Sequence, residues 1–326
     1  MIKRYVKQDT SNEKTTRIKN KVDTGTQTPK RLNILKSILI KFKQNIRVKS
    51  NIFFFLLGLI TSNQFFSVYF EDLSKNNEFN LGIRDHKLAV VVPYRERFEE
   101  LLVFVPHMSK FLASKSINFK IFVINQVDSF RFNRASLINI GFLTAMKECD
   151  YMVMHDVDLL PLTEKLDYSY PLNGPFHVSS SGLHPEYNYS TFIGGILIIK
   201  KEDFIKTNGM SNRYWGWGKE DDDFYNRLIK ANITIHRPNV KEFESGSNFT
   251  FLNNHDSEKR KRDKKRFLKQ KKESLRFDQT GLESIMYKIQ SINQILIDKY
   301  PCTIVNVELF CDRYDTHWCN MDYQFL

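Results

Sequence analysis

The sequence contains only four cysteines, and no two of them form a C-x-x-C pair. Structural zinc sites use closely spaced cysteine or histidine pairs, so this spacing argues against a zinc-stabilised fold. Three of the cysteines lie in the last 25 residues. Such a cluster, in a chain that also carries a membrane signal, is typical of a disulfide. We expect the bond to join Cys311 and Cys319.

Outside its first 50 residues the chain has almost no excess of basic side chains. Residues 1–50 contain 14 Lys or Arg and 3 Asp or Glu, whereas residues 51–326 contain 35 basic and 34 acidic residues. The net charge of +12 therefore comes almost entirely from one terminal segment. A nucleic-acid-binding domain carries its basic charge on the folded surface that meets the phosphates. We therefore expect no nucleic-acid partner.

No charged residue occurs between Asn51 and Phe70, a stretch of 20 residues whose first half is strongly apolar. This length spans a bilayer. Basic residues precede the stretch and two acids follow it, so the positive-inside rule places the N-terminus in the cytoplasm. A cleaved signal peptide has a much shorter leading region, and a buried core segment is the alternative. The predicted segments are a basic cytoplasmic tail (1–50), a transmembrane signal anchor (51–70) and a stem (71–86).

Three N-x-S/T sequons, at Asn188, Asn232 and Asn248, all follow the apolar stretch. Each sequon alone is weak evidence, because the pattern occurs often by chance. Their one-sided placement agrees with the same topology, in which the body of the protein is luminal.

Short apolar runs alternate with helical patterns from Lys87 onward. A β-α-β-α-β order predicts an α/β fold with a mostly parallel sheet flanked by helices. Ligands of such folds bind at the carboxyl ends of the strands. A helix is expected to start near Glu220, and residues 283–298 have the pattern of a late amphipathic helix. The predicted strands are KLAVVV (87–92), FKIFVINQ (119–126) and YMVMHDVD (151–158), and FIGGILIIK (192–200) continues the pattern.

Two aspartates, Asp156 and Asp158, end the third predicted strand. Because side chains alternate along a strand, both carboxylates are expected to point to the same side. A carboxylate pair at this edge can bind a hard divalent cation, which would stabilise a diphosphate leaving group. The alternative is a solvated loop. His255, further along the chain, has the chemistry to complete a metal shell, although a lone histidine is more often structural.

The segment WGWGKEDDDF (215–224) joins two tryptophans to four consecutive acids. Acids at a helix N-terminus interact favourably with the helix dipole, so one interpretation is a well-capped helix behind packed tryptophans. The other interpretation is catalytic, with a tryptophan as a platform for a sugar and a carboxylate as general base toward a sugar hydroxyl. Neighbouring acids raise the pKa of such a base, which favours this role.

Arginines mark two further predicted edges of the site, in PYRER (93–97) and in FRFNR (130–134). A cationic helix entry suits a phosphate group. The two glycines of TFIGG (191–195) permit close approach of a ligand to the backbone, or mark a tight turn. The basic run 259–272 is interpreted either as a lid over the phosphates or as a solvated helix.

Taken together, these segments resemble the β-1,4-galactosyltransferase family over residues 86–319, with motifs in the family order. Details such as NQVDSFRFNRA (125–135) and GPFHVSS (174–180) resemble the branch that builds the glycosaminoglycan linker. The motifs are VVPYRER (91–97), FNRASLINIGF (132–142), HDVDLLPL (155–162), GGILIIKKEDF (194–204) and NGMSNRYWGWGKEDDDF (208–224).

The resemblance implies a Golgi membrane enzyme, single-pass and type II, with a luminal catalytic domain of GT-A fold over 87–326. It implies transfer of galactose from UDP-galactose to the 4-hydroxyl of xylose on a proteoglycan core protein, with Mn²⁺ as cofactor. By matched position, Asp221 would be the general base. The substrate-binding residues that the resemblance implies are Pro93, Tyr94, Arg95, Glu96, Arg97, Phe132, Asn133, Arg134, Val157, Asp158, Tyr187, Tyr189, Trp217, Lys219, Glu220, Asp221, Asp222, His255 and Arg262.

The metal ligands that the resemblance implies are Asp158 and His255, and here the chain departs from the family pattern. The branch has His-x-His before an aspartate, whereas this chain has Asn253 in place of the first histidine. An amide oxygen can bind Mn²⁺, but it is a weaker ligand than an imidazole. The departure bears on metal affinity more than on metal identity.

Two other functions account for part of the same evidence. One is a related enzyme with a different sugar pair, either transfer onto N-acetylglucosamine or use of an N-acetylated donor. The other is an inactive, lectin-like Golgi protein, for which Asn253 is the supporting feature. The presence of Asp158, Asp221 and Trp217 argues against a lectin, because a pure binder needs neither a base nor a metal.

Overall fold

A computed structural model of the protein describes residues 86–243, 250–255, 258–259, 261–275 and 279–322. The chain divides into two units, 1–82 and 83–326, and every described residue belongs to the second. The predicted tail, anchor and stem thus lie outside the described residues, except for His86. Among the described residues, no helix combines the length and the apolar character needed to cross a membrane.

Nine strands, five α-helices and three short 3-10 helices form the described part of the fold. The strands are β1 (Lys87–Tyr94), β2 (Asn118–Gln126), β3 (Tyr151–His155), β4 (Leu159–Pro161), β5 (Phe176–His177), β6 (Ile196–Lys200), β7 (Phe251–Asn253), β8 (Tyr287–Ile297) and β9 (Tyr300–Leu309). The helices are α1 (Phe98–Ser114), α2 (Arg134–Ala145), α3 (Lys201–Lys206), α4 (Glu220–Lys230) and α5 (Phe267–Glu273).

The central sheet has seven strands in the order β5-β6-β3-β1-β2-β9-β8, and β4 pairs separately with β7. β1 is parallel to both β2 and β3, and β2 is parallel to β9. The other three pairings of this sheet are antiparallel. The α/β prediction is confirmed, but the sheet is mixed rather than mostly parallel, because β6 and β8 reach it through connections that reverse the chain.

Both faces of β1 are buried, which explains its unbroken apolar run. Val91 belongs to the core that α2 covers. Val90 and Val92 belong to the core on the opposite face, which α1 covers. Helices on both faces leave the strand ends as the open edge of the sheet, and this places the ligand site there.

The predicted helix over 283–298 is wrong, because this segment forms β8 as an edge strand antiparallel to β9. Its apolar residues Ile289, Ile292 and Leu296 have the spacing of a helix face. A β-bulge between Ile289 and Ser291 shifts the alternation, so Ile289 lies opposite Val307 while Ile292 lies opposite Val305. The bulge thus brings residues three apart to one face of a strand.

The end of the chain agrees with the cysteine pattern. Cys311 and Cys319 form a disulfide, as predicted, and the other two cysteines are buried and unpaired. The carbonyl of Cys319 accepts a hydrogen bond from the backbone N–H of Arg131 at 2.8 Å. This hydrogen bond holds the disulfide-closed C-terminal segment against the loop that leads into α2.

Candidate active site

A cavity of about 670 Å³ opens where β1 and β3 end, at the edge of the sheet where α/β folds bind ligands. Most of the residues that the sequence predicts for the site are brought together here. They are Pro93, Arg95, Glu96, Arg97, Phe132, Arg134, Val157, Asp158, Tyr187, Tyr189, Trp217, Lys219, Glu220, Asp221, Asp222, Asn253, His255 and Arg262.

Two predicted site residues do not line the cavity. Tyr94 is partly buried against the core beneath α1. Asn133 is fully buried and caps α2, where its Oδ1 accepts the backbone N–H of Ser136 at 2.9 Å. Its Nδ2 donates to the carbonyl of Asn212 at 2.8 Å. Asn133 thus shapes the helix entry beside the cavity.

Asp158 lies in a turn after β3, next to His255 and Arg97. Its Oδ2 is 2.9 Å from Nδ1 of His255 and 3.8 Å from Nη1 of Arg97. Burial would raise the pKa of Asp158, but the hydrogen bond to His255 and the charge of Arg97 outweigh burial and lower it. The carboxylate is therefore held in its ionised form, as a metal ligand must be.

Asp156 has a different partner, which corrects the expectation of one shared direction. β3 ends at His155, so residues 156–158 form a turn and strand alternation does not apply to them. The Oδ1 of Asp156 accepts the Nε–H of Arg134 at 2.8 Å. The pKa of Asp156 is raised, because burial outweighs the charge of Arg134. Asp156 thus orients an arginine in the cavity wall.

Asn253 uses both polar atoms of its amide in contacts with the protein. Its Nδ2 donates to Oε1 of Glu186 at 2.8 Å, and its Oδ1 accepts the backbone N–H of His255 at 3.2 Å. The other oxygen of Glu186 accepts from Nη2 of Arg262 at 2.8 Å. Asn253 therefore supports both His255 and a pair that ties the basic segment to the cavity wall.

The donor atoms near Asp158 fit a divalent metal such as manganese. A carboxylate oxygen and an imidazole nitrogen, 2.9 Å apart on one wall, are ligand types that Mn²⁺ accepts. Within the described ranges, no group of three or more His, Cys, Asp and Glu side chains is arranged to hold a metal. Asp158 and His255 would thus hold the ion with help from another source, such as the substrate, water or an amide.

The first turn of α4 carries the four acids of the predicted acidic run, and three of them are paired with cations. Glu220 lies 3.7 Å from Arg134, and Asp222 lies 2.7 Å from Nζ of Lys219. Asp223 is buried and pairs with Nε of Arg227 at 2.8 Å. The fourth, Asp221, accepts the backbone N–H of Asp222 at 3.0 Å.

The carboxyl of Asp221 has the electrostatics of a general base. Burial, together with the negative charges of Glu220 and Asp222, raises the pKa of Asp221 to about 7. A group with this pKa exchanges a proton readily near neutral pH, which is what base catalysis requires. Of the two interpretations of the acidic run, this geometry favours the catalytic one for Asp221 and the structural one for Asp223.

Aromatic rings cover the side of the cavity next to α4. Trp217 stacks on Phe267 with ring centroids 5.4 Å apart, and Arg262 lies 5.4 Å from the centroid of Trp217. Tyr187 and Tyr189 pack against Phe192 at 5.2 and 5.3 Å. Such surfaces can stack on the apolar face of a sugar ring.

Sequence reasoning assigned no site role to several residues of the wall. His184, Glu186, Phe192, Asp263 and Phe267 all line the cavity. Phe192 belongs to the TFIGG motif, and Asp263 and Phe267 belong to the basic run, whereas His184 and Glu186 had only nearness to TFIGG as a signal. The basic run 259–272 is not a fully solvated helix, because Phe267 at the start of α5 lines the cavity. It is not a lid made only of basic side chains either.

Sugar transfer accounts for this site better than sugar binding alone, because a binding protein has no need of a carboxyl held near neutral pKa. The fold and the site together define a glycosyltransferase. Two family models match the chain: the N-terminal region of glycosyl transferase group 7 over residues 82–171, and the N-terminal domain of galactosyltransferase over residues 174–250.

The chain belongs to the β-1,4-galactosyltransferase family. It is 53% identical over 235 residues to β-1,4-galactosyltransferase 7 of Mus musculus, covering 72% of this chain and 71% of that protein. It is 44% identical over 241 residues to xylosylprotein 4-β-galactosyltransferase of Caenorhabditis elegans, covering 72% and 82%.

The solved catalytic domain of Drosophila β-1,4-galactosyltransferase 7, in complex with xylobiose, has the same fold, with a TM-score of 0.70 and 49% identity. The match covers 73% of this chain and all of that one. A mutant of the Drosophila enzyme was solved with manganese, UDP-Gal and xylobiose, and it matches equally well. The fold of this chain is therefore the mixed, GT-A-like fold of these enzymes.

Proposed function

We propose that this protein transfers galactose from UDP-galactose to the 4-hydroxyl of xylose on a proteoglycan core protein. The observation that carries the proposal is the position of Asp221, a half-buried carboxyl with a pKa of about 7 in the same cavity as Asp158 and His255. Membership of the β-1,4-galactosyltransferase family supports the donor and linkage. The named activity of the Caenorhabditis relative supports xylose as acceptor.

Asp221 acts as the general base of an inverting transfer. UDP-galactose is an α-glycoside and the product is a β-glycoside, so one displacement at C1 suffices and no enzyme nucleophile is needed. Asp221 removes the proton of the xylose 4-hydroxyl as its oxygen bonds to C1, while the bond from C1 to UDP breaks. The proton ends on Asp221, and UDP leaves with the bonding electron pair.

Three arginines supply positive charge inside the cavity, with Arg262 beside the Trp217 ring where the donor and acceptor sides meet. Arg97, Arg134 and Arg262 line the cavity and are held by carboxylates, so they are positioned for the diphosphate. Arg95 has a supporting role instead, since its guanidinium donates to the carbonyls of Phe130 at 2.6 Å and of Asp128 at 3.0 Å. It holds the loop that leads into α2.

Asp158 and His255 would hold Mn²⁺ at the end of β3. When bound there, the ion would supply positive charge to the diphosphate and so stabilise UDP as a leaving group. The chain's own part is to keep Asp158 ionised, through its contacts with His255 and Arg97. Asn253 keeps His255 in place through the hydrogen bond to its backbone N–H.

Trp217, Tyr187 and Tyr189 form the acceptor side. Trp217 presents its ring next to the helix that carries Asp221, so a xylose stacked on it would bring a hydroxyl toward the carboxyl. Glu220 and Asp222 border the base and are held by cations, which fits them for hydrogen bonds to sugar hydroxyls. The arrangement orders the acceptor before the proton moves.

The decisive experiment is a transfer assay with the full chain, UDP-galactose, Mn²⁺ and either a β-xyloside or a β-N-acetylglucosaminide. Galactose transfer to the xyloside alone, lost with a chelator and lost in Asp221→Asn while UDP still binds, is the expected result. Transfer to the N-acetylglucosaminide instead would overturn the acceptor. Transfer to neither sugar, with UDP bound, would favour a lectin-like protein.

We also propose that the protein is a single-pass type II protein of the Golgi membrane with its catalytic domain in the lumen. The support is the uncharged stretch 51–70, its basic and acidic flanks, and the three sequons that follow it. Glycosidase treatment after expression in a secretory cell should reduce the apparent mass, and replacing the sequon asparagines by glutamine should remove that shift. An unglycosylated protein in the soluble fraction would contradict the topology.

A further inference from the structure

A row of exposed lysines extends from the acceptor side of the cavity along α5. We call it the lysine surface. None of its members is a predicted site residue, and only one lines the cavity. The lysine surface consists of Lys261, Lys264, Lys265, Lys269, Lys271 and Lys272.

The acids of the same segment are already paired with other groups. Residues 261–275 contain two acids, Asp263 and Glu273. Asp263 forms an ion pair with Arg131, and Glu273 forms one with Arg266. Both arginines are buried, with 1% and 3% of their surface exposed, so each acid has its charge offset by a buried cation. The lysine surface therefore keeps a strong positive potential toward solvent.

The lysine surface begins at the aromatic platform of the acceptor side. Lys264 Nζ lies 5.2 Å from the ring centroid of Trp217, whose backbone N–H donates to the carbonyl of Asp263 at 2.9 Å. Phe267, the first residue of α5, stacks on the same tryptophan. With a rise of about 1.5 Å per residue, Lys271 and Lys272 lie roughly 6–8 Å further along the helix axis.

We propose that the lysine surface binds an acidic polypeptide segment of the acceptor, next to the residue that carries the sugar. The inference rests on the proposed function, because it uses Trp217 and Asp221 to locate the acceptor. A sugar on a protein brings several residues of polypeptide to the mouth of the cavity. An acidic segment gains attraction from the exposed lysines, whereas a neutral one gains none, and exposed charges act mainly at low ionic strength.

The lysine surface is better placed for the acceptor than for the donor. The arginines with carboxylate partners inside the cavity already supply charge for a diphosphate. α5 starts next to Trp217 and packs one face on the protein, and the exposed lysines on it and just before it can meet a chain of carboxylates. The alternative is that the lysine surface binds the donor, and a measurement of UDP affinity tests it independently.

The test uses the full chain and three acceptors: a neutral β-xyloside, and two xylosylated peptides of equal length that differ only in having glutamate or glutamine around the xylosyl-serine. The variant is Lys265→Gln, Lys271→Gln and Lys272→Gln combined. These lysines lie outside the cavity lining. The matched control replaces three exposed lysines elsewhere, Lys147, Lys206 and Lys288, by glutamine.

At low ionic strength we expect the parent to have a KM for the glutamate peptide about fivefold to tenfold below that for the glutamine peptide. The triple variant should reduce this ratio to less than about twofold, with KM for the xyloside and the affinity for UDP unchanged. The control variant should keep the parent's ratio.

Equal KM values for the two peptides in the parent would overturn the proposal. So would a preference that survives in the triple variant, or a loss of UDP affinity in place of the preference. Failure of the parent to galactosylate even the neutral xyloside would instead contradict the proposed function itself.

Discussion

The carboxylate of Asp221 lies against the backbone of Gly194, where a Cβ atom would stand only 2.6 Å from Oδ2 of Asp221. The carbonyl of Gly194 accepts hydrogen bonds from Nε2 of His177 at 2.8 Å and from Oγ of Ser179 at 3.0 Å. Both partners are fully buried, so the backbone has little freedom to retreat. The absence of a side chain at Gly194 therefore fixes the position that the Asp221 carboxylate can occupy.

We expect Gly194→Ala to lower kcat by about tenfold or more, because the added methyl group would displace Asp221 and also contact Phe192. UDP affinity should change little. Gly182→Ala is the control, since its Cβ would meet only Val240, at 3.4 Å. Its left-handed backbone predicts a loss of stability without a loss of kcat. An unchanged kcat in Gly194→Ala would show that Asp221 tolerates movement.

The activity should depend on pH through Asp221. The carboxyl accepts a proton only when ionised, so kcat/KM for the acceptor should rise with pH and level off above about 7. Glu220→Gln removes a neighbouring negative charge, lowers the pKa of Asp221 and should move this limb to lower pH. Glu308→Gln, on the exposed side of β9, should leave it in place. If Glu220→Gln left the rise of kcat/KM at the same pH, the titrating group would be one other than Asp221.

Asp221 should also make stability depend on pH. Its pKa is about 7 in the folded protein and about 4 in an unfolded chain, so its stabilising contribution is full below pH 4 and is lost as pH rises through 7. Asp221→Asn lacks this loss, and above pH 7 it should be more stable than the parent, by on the order of 1–3 kcal/mol. Calorimetry of both proteins at pH 5 and pH 8, without metal, measures the difference. A gap that is equal at both pH values would contradict the raised pKa.

The two wall residues Asn253 and His255 should differ in their effect on metal binding. His255→Ala removes the proposed imidazole ligand and should raise the Kd for Mn²⁺ by about tenfold or more. Asn253→Ala should raise it by no more than about threefold, because the Asn253 amide already binds Glu186 and the backbone of His255. Electron paramagnetic resonance of free Mn²⁺ measures both values. Equal weakening by the two variants would make Asn253 a ligand.

A buried hydrogen bond supports the turn that carries Asp158. The hydroxyl of Tyr168 lies 3.0 Å from Nε2 of His155, and both side chains are fully buried. Burial lowers the pKa of His155 to about 4, so the ring is neutral and its Nε2 accepts from Tyr168. Tyr168→Phe should lower the free energy of unfolding by about 1–3 kcal/mol, because it leaves that nitrogen without a donor.

The matched control for this change is Tyr314→Phe, in which the tyrosine is 99% exposed. Denaturant unfolding of both variants and the parent measures the effect. Similar values for the two variants would show that the Tyr168 hydroxyl contributes nothing specific.

The strands that carry the site could be predicted from the sequence because each is buried on both faces. Such strands read as unbroken apolar runs, as in β1 and β2. The start of α4 at Glu220 was also predicted, since the acids follow residues that cannot continue a regular helix. β8 was wrongly predicted to be a helix, because the β-bulge after Ile289 places apolar residues three apart, which is also the spacing of a helix face.

The site residues with chemistry of their own were identified by their motifs, whereas those that position them were not. Glu186 has no motif, yet it joins Asn253 to Arg262 across elements far apart in the chain. Asp156 was expected to share the direction of Asp158, but it turns to Arg134 because β3 ends at His155, before either aspartate. Contacts of this kind depend on which segments meet in space.

The sequence by itself determined the order of the elements and the residue types at the end of each strand, because periodicity and charge are local properties of a chain. It also determined the likeness to one family of sugar transferases. Only the tertiary structure shows how the surroundings of the four acids at the start of α4 differ. Four acids stand side by side in the first turn of α4, and three of them pair with a cation: Glu220 with Arg134 of α2, Asp222 with Lys219 just before the helix, and Asp223 with Arg227 one turn along the same helix. Asp221 keeps its burial and its like-charged neighbours, and these raise its pKa to about 7.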